Sequence, residues 1–259
     1  MRKQASLSGL IKTKLKRRFE KIEQKFARLQ GKGFLKDDPR NEVSLLRELL
    51  GSNPLVGVDV GGNRGDYAAA LRSEFPNMEI HVFEPSSTNL KKLFDRFSSD
   101  DKVKILNKAL SDSEGQATLH ADAPGSGLGS LIKRRLDHFN IGFGVQESVQ
   151  TIRFEDYWIR QLDRCSLDLV KFDIEGHELP ALYGMGHALE STRLVQFEFG
   201  GCNIDTRTFF QDFWYFFAER DFDVYRMSPL GLIKIDRYKE SLEFFSTTNY
   251  LACNRKISD

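Results

Sequence analysis

The sequence predicts an α/β protein with a mostly parallel sheet and helices on both faces. Short apolar runs alternate along the chain with segments of helical periodicity, an order that is typical of parallel sheets. Leu167–Phe172 is one such run, and its continuous hydrophobicity indicates a strand buried on both faces. The first run ends in glycines, as expected where a buried strand turns into a helix.

The predicted elements follow one another in a regular order. We expect strands at Leu55–Val60, Ile80–Phe83, Val103–Leu106, Leu167–Phe172 and Leu194–Phe199, then short β runs at Val224–Arg226, Leu232–Ile235 and Tyr250–Ala252. We expect helices at Glu42–Leu50, Asp66–Glu74, Ser87–Phe97, Leu131–Phe139, Leu179–Leu189 and Thr206–Glu219. Gly51 and Pro54 end the first helix, Ser86 or Ser87 caps the third, and residues 112–130 are expected to be rich in loops.

Length and composition limit the protein class. The 259 residues are 40% hydrophobic and 29% charged, enough apolar material for one sizeable core. No window approaches the roughly 20 apolar residues of a membrane span, and the first 30 residues lack the apolar segment of a signal peptide. Cys165, Cys202 and Cys253 lie far apart, which argues against a zinc knuckle or a disulfide framework. We therefore expect a cytoplasmic protein.

The charge divides the chain into a basic arm, residues 1–36, and an acidic body, residues 37–259. The arm has 12 Lys or Arg and two acidic residues, whereas the body has 26 basic and 35 acidic residues. Apolar residues three and four positions apart predict an amphipathic helix that ends at Gly31 and Gly33. Three interpretations of this helix remain open. It packs on the body or a sister subunit, it pairs with a partner helix, or it lies on the inner face of an anionic membrane, where each basic residue contributes about 1 kcal/mol to binding. We favour the first two over the membrane. Nucleic acid is not expected, since the acidic body would repel phosphate.

A glycine turn follows the first strand in Asp59-Val60-Gly61-Gly62-Asn63-Arg64-Gly65. Its spacing matches neither G-x-G-x-x-G nor a P-loop, but it fits D-x-G-x-N-x-G of methyltransferases that bind S-adenosylmethionine. In that interpretation Asp59 faces the ammonium group of the ligand, and backbone amides from Gly61 through Asn63 to Gly65 meet its carboxylate. The alternative is a turn that needs glycine only for its geometry.

Two further segments indicate a nucleoside site. Glu84 ends the second strand, 19 residues after Gly65, where a carboxylate can accept hydrogen bonds from both ribose hydroxyls. Ala109 and Leu110, just after the third strand, are placed to lie along the adenine ring. An ordinary turn at residues 107–112 is the alternative.

Titratable residues cluster after the fourth and fifth strands. Asp173, Glu175 and His177 follow the fourth strand, and Glu198 ends the fifth. Because ligands bind at the carboxyl ends of parallel strands, these side chains should face the same crevice as Glu84. An acceptor hydroxyl loses its proton during methylation, so each of the four is a candidate base. A role for His177 as a simple helix cap is the alternative.

Together these motifs resemble the FkbM-type methyltransferases. The resemblance rests on Val56–Gly65, FEP at Phe83–Pro85, KFDIEGHE at Lys171–Glu178, QFEFG at Gln196–Gly200 and the ending Phe244–Ala252. It covers residues 50–253, and GGN stands where GAN is commoner. It implies a class I Rossmann-like sheet of seven strands, the last antiparallel, with S-adenosylmethionine as cofactor. It also implies O-methylation of sugar, glycan or macrolide hydroxyls.

The mechanism is left open between a base and a metal. Asp173 is expected near the methyl group, with His177, Glu175 or Glu198 taking the proton; a carboxylate-bound divalent cation such as Mg²⁺ is the alternative. Candidate acceptor contacts are Gly125–Leu131, the arm, and the aromatic segment 209–217. A cofactor-binding scaffold without catalysis and an NAD(P)-linked enzyme remain as functions of other classes.

Overall fold

The computed structural model describes residues 7–33 and 38–257, with side chains from residue 14 onward. The helices are α1 Leu7–Leu29, α2 Pro39–Leu50, α3 Asp66–Glu74, α4 Ser87–Arg96, α5 Phe154–Gln161, α6 Glu178–Tyr183, α7 Cys202–Thr206 and α8 Phe210–Ala218. The strands are β1 Val56–Val60, β2 Glu79–Phe83, β3 Val103–Leu106, β4 Ala109–Leu110, β5 Gly115–Ala121, β6 Val145–Ile152, β7 Leu167–Phe172, β8 Thr192–Phe199, β9 Phe222–Ser228, β10 Gly231–Lys234 and β11 Thr248–Asn254.

The main sheet confirms the predicted α/β fold. Its strand order is β10-β9-β11-β8-β7-β1-β2-β3, with β3, β2, β1, β7 and β8 running parallel. The last strand, β11, pairs antiparallel with both β8 and β9, as expected. The expected count of seven strands is wrong, since the sheet has eight. The additional strand is β10, which forms a hairpin with β9 through a turn at Gly231, where φ is +103°.

A second, smaller sheet was not predicted. Strands β4, β6 and β5 form it, so the expected loop at 112–130 contains β5. These strands were missed because their exposed faces are polar and their apolar residues are sparse. The helix expected at Leu131–Phe139 is also wrong, since only Asp137–Phe139 forms a single 3₁₀ turn. There the Ser130 hydroxyl accepts a hydrogen bond from the Ile132 amide at 3.1 Å, which competes with helix formation.

Two predicted helices are shorter than expected. The one expected at Leu179–Leu189 ends at Tyr183 and continues as a 3₁₀ turn, because Gly186 has a φ of +50°. The one expected at Thr206–Glu219 begins only at Phe210, because Arg207, whose φ is +59°, ends the separate helix α7 at Thr206. Helix α5, by contrast, was missed altogether, although it packs Phe154 and Trp158 into the core.

The aromatic helix α8 belongs to the core. Phe213 stacks on Phe197 of β8 with ring centroids 5.0 Å apart, and Phe217 stacks on the same ring at 5.1 Å. Trp214 donates from Nε1 to the carbonyl of Ile235 at 3.3 Å, which leaves Tyr215 as the exposed aromatic ring of this helix. None of the described helices combines the length and hydropathy needed to cross a membrane.

Candidate functional site

Two cavities meet at the carboxyl ends of the parallel strands. The glycine-rich cavity, of about 270 Å³, is lined by Gly61, Gly125, Gly127 and Gly129 beside small apolar side chains. The acidic cavity, of about 490 Å³, is lined by six carboxylates and only two basic side chains. The six are Asp38, Glu42, Asp66, Asp173, Glu175 and Glu198. Gly61, Asn63 and Asp173 lie on the walls of both cavities.

The glycine turn is shaped by the packing of β1 between β2 and β7. The amides of Gly61 and Gly62 both donate to the carbonyl of Phe83, at 2.9 and 3.1 Å. A Cβ on Gly61 would lie 2.0 Å from the carbonyl oxygen of Asp173, and one on Gly62 would lie 2.1 Å from Val82. The protein's own packing therefore requires these glycines, whatever they contribute to a ligand.

Asp59 and Gly65 lie on neither cavity wall. The Asp59 carboxylate is fully buried behind the turn, and its oxygens have no hydrogen-bond partner of good geometry. Burial raises the pKa of Asp59 to about 6, against the opposing charge of Lys171. Gly65 begins α3 with a φ of +80°, and a Cβ there would meet the ring of Phe97.

Glu84 is the carboxylate at the centre of the glycine-rich wall. Its Oε2 accepts from the amide of Asn63 at 2.7 Å, and its Oε1 accepts from the amide of Ser86 at 2.8 Å. Burial raises the pKa of Glu84 to about 7. Each carboxylate oxygen retains a lone pair for a further donor. The arrangement suits a ligand with two neighbouring hydroxyls.

The far side of this cavity is formed by the second sheet. The predicted residues Ala109 and Leu110 form β4 and line the cavity. Leu119 of β5 and Val145 of β6 add apolar contacts, while Glu147 of β6 accepts from the Ser87 amide at 2.9 Å and so joins β6 to α4. The candidate acceptor segment Gly125–Leu131 lies mainly on this cavity.

A buried lysine supports the floor of the acidic cavity. Lys171 donates from Nζ to Oδ2 of Asp173 at 2.9 Å and lies 4.6 Å from the ring centre of Tyr67. Burial opposes its charge, but Asp173, Asp59 and Glu42 outweigh that effect and raise the pKa of Lys171 above its usual value. Lys171 is thus a fixed cation among three carboxylates.

Sequence reasoning missed the other members of this network. The Tyr67 hydroxyl donates to Oε1 of Gln196 at 2.8 Å, and Gln196 donates from Nε2 to Oε2 of Glu42 at 2.6 Å. Burial raises the pKa of Glu42 to about 7. Glu42 could have been noticed as an acid on the apolar face of a predicted helix, since polar residues there need a partner.

The turn after β7 has strained backbone. Glu175 has a φ of +54° and Gly176 a φ of +105°. The fully buried Glu178 accepts from the amides of Ile174 at 3.0 Å and Gly176 at 2.9 Å, which holds the turn in place. Glu178 therefore positions the segment that carries Asp173 and Glu175.

The four candidate bases divide between the cavities. His177 lines the glycine-rich cavity, and its Nε2 is 3.0 Å from the Ser111 hydroxyl, so its side chain does not cap α6. Burial lowers the pKa of His177. Glu175 and Glu198 line the acidic cavity instead. Asp173 contacts both cavities.

Glu198 and Glu175 have different partners. Arg134 forms a salt bridge with Glu175 and lies 3.7 Å from Asp205. Within the described part of the chain Glu198 forms no salt bridge of this kind; burial, followed by the charges of Asp173 and Glu175, raises its pKa well above the usual range. Burial therefore makes Glu198 a stronger base than an ordinary exposed carboxylate.

Glu175, Glu198 and Cys202 have ligand atoms within 4.8 Å of one another. This donor set suits Mg²⁺ poorly, because Mg²⁺ prefers oxygen ligands and burial raises the pKa of the Cys202 thiol. Arg134 already supplies a positive charge at Glu175.

The family can be assigned from this geometry together with sequence comparison. A model of the methyltransferase FkbM domain matches residues 59–224, which contain the glycine turn, Glu84 and the β7 and β8 ends. The chain belongs to the FkbM methyltransferase family. The strand order is that of the class I methyltransferase fold, with β10 added at one edge. This fold implies S-adenosylmethionine as the methyl donor.

Relatives and solved structures can be compared with this family member. The 2-O-methyltransferase NoeI of Sinorhizobium fredii (strain NBRC 101917 / NGR234) is 26% identical over 169 residues, which cover 62% of this chain and 68% of NoeI. A precorrin-6y C5,15-methyltransferase of Geobacter metallireducens is 11% identical, with a TM-score of 0.42 over 83% of this chain and 86% of that one. An rRNA methylase of Streptococcus thermophilus is 12% identical, with a TM-score of 0.46 over 85% of this chain and 98% of that one.

S-adenosylmethionine fits the glycine-rich cavity chemically. The Glu84 carboxylate offers acceptors for ribose hydroxyls, and the buried Asn63 Oδ1 has no partner among the described residues. Leu110 and Leu119 supply apolar surface for a flat ring. Of the predicted cofactor residues, the structure brings Gly61, Asn63, Glu84, Ala109, Leu110 and Asp173 to this one cavity.

Proposed function

We propose that the protein is an S-adenosylmethionine-dependent O-methyltransferase that acts on a hydroxyl of a sugar, a glycan or a glycosylated natural product. The observation that carries the proposal is the meeting of the two cavities at Asp173, one suited to a nucleoside and the other rich in carboxylates. The similarity to NoeI, a 2-O-methyltransferase, supports oxygen as the acceptor atom.

Residues of the glycine-rich cavity bind and orient the cofactor. Glu84 accepts from the ribose hydroxyls, Ala109 and Leu110 border the adenine, and the turn at Gly61 and Asn63 faces the methionyl end. When bound, S-adenosylmethionine supplies an electrophilic methyl group. Asp59 supports this turn from behind and balances Lys171.

On the acidic side, Glu198 accepts the proton from the acceptor hydroxyl. Glu198 lines this cavity and burial raises its pKa, whereas Glu175 is paired with Arg134. A carboxylate with a raised pKa is a stronger base and so accepts a proton more readily. Asp173, held by Lys171, marks the junction where donor and acceptor meet. Alignment of the two supplies much of the acceleration.

The cofactor is tested by calorimetric titration with S-adenosylmethionine and its demethylated product, with NAD as a control. We expect both sulfur nucleosides to bind and NAD not to bind. Glu84→Ala should weaken binding about tenfold or more, because it removes two charge-assisted hydrogen bonds. The exposed Glu114→Ala is the matched control and should bind as the wild type does. Binding of NAD alone would refute the assignment.

The reaction is tested by mass spectrometry of sugar and glycan acceptors after incubation with S-adenosylmethionine, with Mg²⁺ or with a chelator. We expect methylation that the chelator leaves unchanged. Glu198→Gln should lower kcat about 10²-fold or more with little change in cofactor affinity. If His177→Gln instead causes the larger loss of kcat, the base has been assigned to the wrong cavity.

A further inference from the structure

The N-terminal arm presents an apolar stripe that the body does not cover. Five large side chains of α1 follow one another at steps of four and three residues and are 39–62% exposed: Leu15, Phe19, Ile22, Phe26 and Leu29. This spacing places them on one face of the helix. These five side chains therefore do not pack on the body of the same chain.

The charge of the arm borders this stripe. Between residues 14 and 29, seven Lys or Arg accompany two acids, Glu20 and Glu23. At 100° per residue, Arg18 and Lys25 flank the stripe on one side, with Lys14, Lys21 and Arg28 beyond them. On its other side the stripe is flanked by Glu23, with Lys16 and Glu20 beyond it. The arm thus combines an apolar face with a basic flank.

The arm is fastened to the body at its C-terminal end. The carbonyl of Gln30 accepts from Nε of Arg226 at 2.6 Å, and the amide of Gly33 donates to Oγ1 of Thr248 at 3.2 Å. Lys32 lies 4.9 Å from the ring centre of Phe244. A Cβ on Gly31 would lie 2.1 Å from the carbonyl oxygen of Met227, so the turn packs closely against β9.

We propose that α1 binds the surface of an anionic lipid membrane, with the stripe in the boundary between headgroups and acyl chains and the basic flank against the headgroups. Helices with this division of charge and apolar side chains lie in the plane of the interface. Because its fastening is next to Thr247 and Asn249 of the acidic cavity, the arm would hold that cavity near the lipid surface. The proposal is independent of the proposed function.

The charge and the apolar stripe of α1 favour a lipid membrane over a second copy of the chain or a nucleic acid as its binding partner. Pairing with a second copy would bring two helices together that each carry +5 between residues 14 and 29, across only two heptads of apolar contact. A nucleic acid would pair with the basic flank but leave the exposed apolar stripe in water. An anionic membrane satisfies both faces of the helix.

The test is co-sedimentation of the full chain with vesicles of phosphatidylcholine alone or of phosphatidylcholine with phosphatidylglycerol. We expect binding to the anionic vesicles to be about tenfold or more stronger, and to weaken as salt screens the charges. Equal binding to the two kinds of vesicle, or binding to neither, would overturn the proposal.

Two variants separate the contributions of the stripe and the flank. Phe19→Ser with Phe26→Ser, and separately Arg18→Gln with Lys21→Gln and Lys25→Gln, should each weaken vesicle binding about tenfold or more. The matched controls alter exposed body residues: Phe139→Ser, and Arg237→Gln with Lys239→Gln. All of these side chains are exposed, so circular dichroism and the melting temperature should remain those of the wild type.

The self-association alternative is measured on the same proteins by light scattering. If the chain is a dimer that the Phe19→Ser and Phe26→Ser variant dissociates, while vesicle binding is absent, the stripe joins two copies and the lipid proposal fails. If the double serine variant binds anionic vesicles as tightly as the wild type, the attraction is electrostatic alone and the proposal also fails.

Discussion

The two cavities differ in how the chain builds them. One wall of the glycine-rich cavity is formed by residues that follow strand ends, such as Gly61 and Glu84, and the opposite wall by the second sheet and the segment Gly125–Leu131. The acidic cavity collects side chains from α2, α3, β7, β8 and β11, which are distant in sequence. The predicted cofactor contacts therefore belong to local motifs, whereas the acidic cavity depends on packing between distant segments.

The two cavities also handle charge differently. Glu84 is buried with no basic partner among the residues that the structure describes, and its pKa rises to about 7. The acidic cavity instead contains Lys171, whose pKa the surrounding carboxylates raise. Changes on the two sides should therefore have different consequences for stability and for cofactor binding.

Lys171→Met should have the largest effect. It leaves Glu42, Asp59 and Asp173 without their buried cation, which should lower the free energy of unfolding by about 3–5 kcal/mol. Denaturant unfolding measures the loss. The exposed Lys104→Met is the control and should change stability little. Adding Glu42→Gln to Lys171→Met should restore part of the loss; a double variant less stable than the sum of the single changes would contradict this account.

Glu178→Ala should affect both cavities at once. It removes the acceptor for the amides of Ile174 and Gly176, so we expect a loss of roughly 2–4 kcal/mol in unfolding free energy. Because the turn carries Asp173, affinity for S-adenosylmethionine should fall as well. Glu178→Gln retains one acceptor and should lose about half as much stability. Unchanged cofactor affinity in a folded Glu178→Ala protein would show that the turn does not position the site.

The sequence predicts the local parts of the molecule well. It places α3 and β7 at their observed bounds, because a glycine turn marks the start of α3 and β7 is a continuous apolar run. It misses β5 and β6, whose polar faces weaken the alternation, and it extends a helix through Gly186, where φ is positive.

The same distinction applies to the site. Glu84 and Asp173 could be predicted from their places after strands. The hydrogen-bonded link from Tyr67 through Gln196 to Glu42 could not be predicted. Its members are separated by 129 and by 154 positions in the sequence and meet only in the folded chain. The sequence also could not show that Arg134, rather than a metal, neutralises Glu175. Arg134 lies in the segment Leu131–Phe139, which does not form its predicted helix.

Titration of Glu84 gives the glycine-rich cavity a characteristic pH dependence. The folded pKa of about 7 lies above the ordinary value of 4.5, so the free folded protein holds a proton that the unfolded chain has lost. The unfolding free energy of the free protein should therefore fall as pH rises from about 5 to 7, by up to about 1.4 kcal/mol per unit from this group. Glu84→Gln should reduce the slope in urea unfolding but not abolish it, because burial also raises the pKa of Glu42 and of Asp59. Glu114→Gln should leave the slope unchanged. An unchanged slope in Glu84→Gln would place the titration elsewhere.

Tyr67→Phe should have the smallest effect and should test whether the network matters beyond its charges. It removes the hydroxyl that donates to Gln196 at 2.8 Å but keeps the ring beside Lys171. Because the Gln196 oxygen then lacks a partner in a buried site, we expect unfolding free energy to fall by about 1 kcal/mol. The Lys171–ring contact is retained, so cofactor affinity should stay within about twofold of the wild type. The exposed Tyr183→Phe is the control. A loss in Tyr67→Phe as large as that in Lys171→Met would mean that the neutral hydrogen bonds, rather than the lysine, hold the acidic cavity together.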